Sequence, residues 1–196
     1  HFNGEGKNIS IKADALDLRA DSINLDASSS DNITIEINKL KARAKDDILI
    51  SNKGSLTLSS LVSENKGTVS VKSTQGSIFA AADTGTFSEY HVNAGDIILE
   101  ALNGAIGSSN NSLKFANSGL FNVKAKNDIY LSSDAAIYVD LIETTQGALT
   151  LSSNFGIIAS AISDDNRVYN LYSNKDMNLS ASAGNIENII LNTNGT

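Results

Sequence analysis

The chain has 196 residues, fifteen Lys and Arg against twenty-two Asp and Glu, and no Pro, Cys or Trp. At this length one domain with a substantial core is expected. A net charge of −7 with three arginines (Arg19, Arg43 and Arg167) excludes a typical nucleic-acid binder and dense phosphate recognition. The missing cysteine excludes a disulfide scaffold and a thiolate zinc site, and no apolar run approaches the 18 or so residues of a membrane helix.

Read in chain order, one signal recurs: two apolar residues separated by a single residue, then a small polar turn. Ile9/Ile11, Leu16/Leu18, Ile23/Leu25, Ile33/Ile35, Leu40/Ala42, Ile48/Ile50 and Leu56/Leu58 open the series. Val69/Val71, Ile78/Ala80, Tyr90/Val92, Ile97/Leu99, Leu113/Phe115, Phe121/Val123, Ile129/Leu131 and Ile137/Val139 continue it. Leu149/Leu151, Tyr169/Leu171, Met177/Leu179 and Ile189/Leu191 close it. An i, i+2 pair marks a strand with one buried face, and no helical i, i+3, i+4 pattern persists.

The starts at Ile9, Leu16 and Ile23 lie seven residues apart, too close for hairpins. Strands of three or four residues with equally short corners turn a chain around a small cross-section, at roughly 20 to 28 residues per coil. Phrases also recur at long range. Asp47-Ile48-Leu49-Ile50, Asp96-Ile97-Ile98-Leu99 and Asp128-Ile129-Tyr130-Leu131 are one; Leu58-Ser59-Ser60, Leu131-Ser132-Ser133 and Leu151-Ser152-Ser153 are another. Thr74-Gln75-Gly76-Ser77-Ile78 and Thr145-Gln146-Gly147-Ala148-Leu149 form a third. The fold expected is all-β, a parallel β-helix of about seven or eight coils, roughly 35–40 Å long at ~4.8 Å per coil. Gly54, Gly67, Gly76, Gly95, Gly104, Gly147, Gly156 and Gly184 are expected at corners that need positive φ.

The phrase Ala94-Gly95-Asp96-Ile97-Ile98-Leu99-Glu100-Ala101-Leu102-Asn103-Gly104-Ala105-Ile106-Gly107 resembles the degenerate repeats of filamentous-haemagglutinin-like exoproteins. So do Gly54-Ser55-Leu56-Thr57-Leu58-Ser59-Ser60 and Gly147-Ala148-Leu149-Thr150-Leu151-Ser152-Ser153. The resemblance covers most of residues 47–192. It implies a right-handed helix, export by two-partner secretion through an outer-membrane partner, and an extracellular or cell-surface location. It also implies a structural or adhesive role toward a host-cell or neighbouring-cell glycan or protein ligand. The opening His1-Phe2-Asn3-Gly4 has no charged n-region, and residues 1–196 read as one segment of a longer surface protein.

Chemistry-bearing residues are sparse. No Gly-Gly-x-Gly-x-Asp calcium repeat occurs, and two histidines without cysteine make no metal site; no catalytic residue and no cofactor are expected. His91, between Tyr90 and Val92, is expected to point outward. Asp164-Asp165-Asn166-Arg167 is the best place for paired-carboxylate chemistry of the polysaccharide lyase or hydrolase kind, though a solvated turn is the ordinary reading. A carbohydrate-active or tailspike-like β-helix is accordingly the alternative function. Surface recognition points to Tyr130 and Tyr138, both expected to project outward on successive strands, where exposed rings stack on sugars or anchor a partner. Ordinary β-propensity explains the same tyrosines. The long Asp83–Tyr90 connection adds Phe87, Glu89 and Tyr90 as candidate binding residues. Asn-x-Ser/Thr triplets begin at Asn8, Asn32, Asn110, Asn178 and Asn194, as chance gives in a chain this rich in Asn and Ser.

Overall fold

The computed structural model describes residues 9–26, 33–83, 88–159 and 169–194. In chain order the strands are β1 (Ile9–Ala20), β2 (Ile23–Leu25), β3 (Ile33–Ala44), β4 (Ile48–Asn52), β5 (Leu56–Ser63) and β6 (Val69–Ser73). Then come β7 (Ile78–Ala80), β8 (Val92–Ala94), β9 (Ile97–Ala101), β10 (Leu113–Asn117), β11 (Phe121–Ala125), β12 (Ile129–Ser133) and β13 (Ile137–Thr144). The last are β14 (Leu149–Ser153), β15 (Ile157–Ala159), β16 (Leu171–Ser173), β17 (Met177–Ala181), β18 (Ile186–Glu187) and β19 (Leu191–Thr193). No described residue is helical.

The chain alternates between two sheets. One runs β1-β3-β5-β8-β10-β12-β14-β17 with β7 beside β5. The other runs β18-β15-β13-β11-β9-β6-β4-β2, with β16 pairing β13 and β19. The strand pairs are parallel, which is the arrangement of a parallel β-helix or solenoid. We call the β1-containing sheet the first sheet and the other the second.

Register turns the i, i+2 pairs into interior columns. Ile23, Ile48, Val69, Ile97, Phe121 and Val139 align in the second sheet. Leu56, Ile78, Ile106, Ile129, Leu149 and Met177 align in the first. Most of these residues are fully buried in one continuous core. Stacking like on like at the ~4.8 Å strand spacing removes apolar surface from water on both sides of each residue, which is how short strands reach full burial. Phe115 on β10 meets Phe121 on β11 across the interior, rings stacked with centroids 4.0 Å apart.

Strand length departs from the expectation. Ile9 and Leu16 do not start separate strands: β1 and β3 are 12 residues each, and β5 and β13 are eight. In β3 the inward positions shift from Ile35 and Ile37 to Leu40, Ala42 and Ala44, so the chain stays extended while it turns a corner. Register slips of one residue in β5 and β13 serve the same bend.

The corners explain the recurring phrases. Asp47, Asp96 and Asp128 each accept, through Oδ1, the backbone N–H of Thr68, Leu120 and Ala148 on the neighbouring rung, all at 2.8 Å. A Cβ on the preceding Gly119 would overlap the Asp96 carboxylate, and one on Gly147 would overlap the backbone of Asn127 and Asp128. The Asp-Ile phrase and the Gly-turn phrase are therefore two halves of one contact. This also corrects the reading of the glycines: of the glycines described, only Gly107 has positive φ, at 69°, while Lys66 and Asn188 take that region without being glycine. Gly67, Gly76, Gly95, Gly104, Gly147 and Gly184 answer close approach between rungs, a Cβ there falling within 3 Å of a neighbouring atom, whereas Gly54 has open space around it.

Small buried hydroxyls finish the corners. Ser73, Thr144 and Ser173 accept from the N–H of Gly76, Gly147 and Lys175 and donate to carbonyls of Gly54, Asn127 and Gly147 on the neighbouring rung. Asn52, 1 % exposed, plays the same part by bonding both the N–H and the C=O of Ile37. A buried backbone group left unpaired costs about 1–3 kcal/mol, so these side chains permit corners without strand pairing.

Candidate functional site

Between β7 and β8 the chain leaves the first sheet and returns at His91. Asn111 fixes the departure, its Nδ2 donating to the carbonyls of Ala80 and Ala81 at 3.0 and 3.1 Å. His91 fixes the return. Its Nδ1 accepts the Lys114 N–H at 3.0 Å, so the ring proton belongs on Nε2, which donates to the Ala81 carbonyl at 2.9 Å. The sequence expectation that His91 points outward is overturned, because Tyr90 is not the first inward residue of a strand. β8 begins at Val92, and His91 is a buried tie across the base of the connection. Burial holds its pKa below the usual histidine value, keeping the imidazole neutral and the Nδ1 lone pair available.

That connection delivers Glu89 and Tyr90 to the outer face of the first sheet. The Lys114 ammonium lies 5.5 Å from the centroid of the Tyr90 ring. It also forms an ion pair with Asp134, just beyond β12. Asp134 accepts a second bond from Asn154 Nδ2 at 2.7 Å. The Asp134 contact raises the Lys114 pKa. Burial, then the charges of Glu89 and Asp134, push the Tyr90 phenol upward. The result is an aromatic face with a cation over it and two carboxylates nearby, a set that can stack on a pyranose ring and bond its hydroxyls.

Tyr130 lies on the same outer face. It follows Ile129 as Phe79 follows Ile78, and Ile78, Ile106 and Ile129 align, so Phe79 and Tyr130 lie two rungs apart with the buried Gly107 between them. With a glycine between them, the two aromatic positions stand two strand spacings apart, about 9.6 Å. Phe79 is 39 % exposed. Tyr138 is more exposed, at 44 %, but it sits on β13 in the second sheet. β12 and β13 belong to different sheets, so Tyr130 and Tyr138 do not share a surface. Phe87, like Asp164, Asp165 and Arg167, lies outside the described residues.

Sequence reasoning missed Lys114, Asp134 and Phe79. Each is an outward or corner residue whose neighbours depend on register, and only the spacing of about 20 residues between Lys114 and Asp134 hinted that they lie one rung apart. Among the described residues no group of three or more His, Asp or Glu is placed to hold a metal ion. A scan of protein-family models, a search of curated proteins and a search of solved structures each give no match to the chain.

Proposed function

We propose that this chain is an adhesive segment of a large secreted or cell-surface bacterial protein of the filamentous-haemagglutinin-like kind. Residues 1–196 form one right-handed β-helix of about seven or eight coils, and the parent protein leaves the cell through an outer-membrane secretion partner. The segment works outside the cell, without cofactor or turnover. Its ligand is a glycan on a host or neighbouring cell, held on the outer face of the first sheet. The observation that carries this reading is the Tyr90–Lys114–Asp134 cluster beside a tied connection. A rigid parallel sheet keeps such groups at fixed spacings, so little side-chain order has to be gained on binding. The repeat phrases quoted above support the family and the location.

The test is retention of the purified chain on an immobilised panel of host glycans and bacterial polysaccharides. Loss of one aromatic stack removes about 0.5–1.5 kcal/mol, up to about tenfold in affinity. Tyr90→Ala and Lys114→Ala are expected to weaken retention by up to that factor, and Tyr138→Ala, on the other sheet, to leave it unchanged. Equal retention by all three variants would remove the first sheet's outer face from the account.

A further inference from the structure

We propose that His91 is an acid-operated clasp: when its ring takes up a second proton, residues 81–83 and 88–91 come away from β5 and β10 and carry Tyr90 off Lys114. The two feet of the connection between β7 and β8 land close together on β5. The Ala81 N–H donates to the Leu58 carbonyl at 2.9 Å, and the Leu61 N–H donates to the His91 carbonyl at 2.8 Å. Toward β10 His91 is held twice. Its backbone N–H donates to the Lys114 carbonyl at 2.8 Å, and its Nδ1 accepts the Lys114 N–H at 3.0 Å. The His91 carbonyl already serves Leu61, and the ring nitrogen supplies the acceptor for Lys114. Through Nε2 the same ring ties one foot to the other at Ala81.

Only the neutral ring can make both contacts. Imidazolium carries a proton on each nitrogen, so Nδ1–H would be set against the Lys114 N–H. The surrounding charges give that cation no shelter. The Lys114 ammonium on β10 opposes it. Asp134, beyond β12, is engaged by Lys114 and Asn154, and Asp83 and Glu89 on the connection are exposed to solvent. Tyr90, with its phenol pushed upward, stays neutral. Lys41 on β3, in register with Ser60, pairs with Asp17. β5 brings Ser59, Ser60 and Leu61 and the turn after Gly107 brings Asn111, none of which titrates.

The closed arrangement also carries a cost that opening relieves. Ser59 and Ser60 lie on β5 between the two landing points, Leu58 and Leu61. Their side chains are buried, at 4 % and 0 % exposure, and neither hydroxyl finds a hydrogen-bond partner. A buried polar group without a partner opposes the state that buries it, and water would reach both hydroxyls once the feet lift. The base of this connection is therefore where the loss of one hydrogen bond tells most. That acid would thereby release a bound glycan rests on the function proposed above. The clasp itself does not, and its test uses no ligand.

The test is amide hydrogen exchange followed by NMR between about pH 7.5 and about pH 4.5, a range that brackets the ordinary histidine value of about 6.5. The Ile97 N–H, which donates to the Leu120 carbonyl in the second sheet, is the reference, and the ratio of the Lys114 rate to its rate removes the intrinsic effect of pH. In the wild-type chain this ratio is expected to rise as pH falls below about 6.5, by up to tenfold per unit, and to level off where the His91 ring titrates in the folded chain. The Leu61 amide, bonded to His91 from the other side, is expected to follow the same curve. His91→Gln, with no titrating group, should hold a constant ratio. A constant ratio in the wild type overturns the proposal, as does an equal rise in His91→Gln or a rise at Lys114 that Leu61 does not share. If His91→Gln melts early, the wild-type curve set against the titration of the His91 ring decides alone. A chain whose ratio rises as expected but which retains no glycan at either end of the pH range keeps the clasp and removes the adhesive reading instead.

Discussion

Replacing Phe115 by alanine tests the interior most sharply. Phe115 and Phe121 are both fully buried, and their rings stack 14° from parallel with centroids 4.0 Å apart. They come from consecutive strands in opposite sheets, so the pair closes the core from one wall to the other. Truncating a buried Phe to Ala costs about 3–5 kcal/mol in transfer and cavity terms. Of this the ring-on-ring geometry supplies about 0.5–1.5 kcal/mol. For a chain of this size each kcal/mol moves the melting temperature by roughly 2–4 °C, so Phe115→Ala should melt about 6–20 °C early. The assay is thermal unfolding followed by circular dichroism and calorimetry, with Phe115→Leu, Phe121→Leu and the double variant completing a cycle. The leucine variants keep most of the volume, and a coupling of about 0.5–1.5 kcal/mol between them is expected. A drop below about 2 °C for Phe115→Ala, or strict additivity in the cycle, would refute the packing described.

The corner contacts predict a reversal between two glycines. Gly119→Ala should cost about 1–3 kcal/mol and be partly rescued by Asp96→Ala, because the Asp96 carboxylate is the atom group in the way. Gly147→Ala should not be rescued by Asp128→Ala, since backbone blocks it; denaturant midpoints of the four variants and two doubles decide the matter. His91 predicts a pH dependence. Its folded pKa is lowered by burial, so the unfolded chain binds the proton more readily, and the stabilisation is complete above about pH 6.5. It is lost as pH falls from there through the lowered folded value, where a protonated Nδ1 would oppose the Lys114 N–H. Melting temperature against pH should show this fall in the wild type and lose that component in His91→Gln; an identical slope in both would contradict it.

Much of the architecture was written in the i, i+2 pairs, because a buried strand face has to repeat every second residue and a stacked one has to do so in every circuit. The corners were not legible in the same way. Ser73, Thr144, Ser173 and Asn52 are polar yet interior, and apolar periodicity passes over them. β1 and β3 were read as short pieces because each changes its inward phase at a bend, Ala13 to Leu16 and Ile37 to Leu40, without leaving extended geometry. His91 was misplaced for a related reason: alternation was carried one residue too far upstream, into a connection. For the candidate site, Glu89 and Tyr90 were found from the length of their connection. Lys114 and Asp134 became visible only with register, since a partner one rung away is about 20 residues distant in sequence. The same register separated Tyr130 from Tyr138 by assigning their strands to different sheets.

The most direct test of the central claim is one glycan and polysaccharide panel read twice with the same protein, for retention and for released products. Adhesion predicts retention on particular glycans with no product accumulating over hours. Steady release of oligosaccharide from any retained polymer would contradict it and establish a carbohydrate-active enzyme in its place.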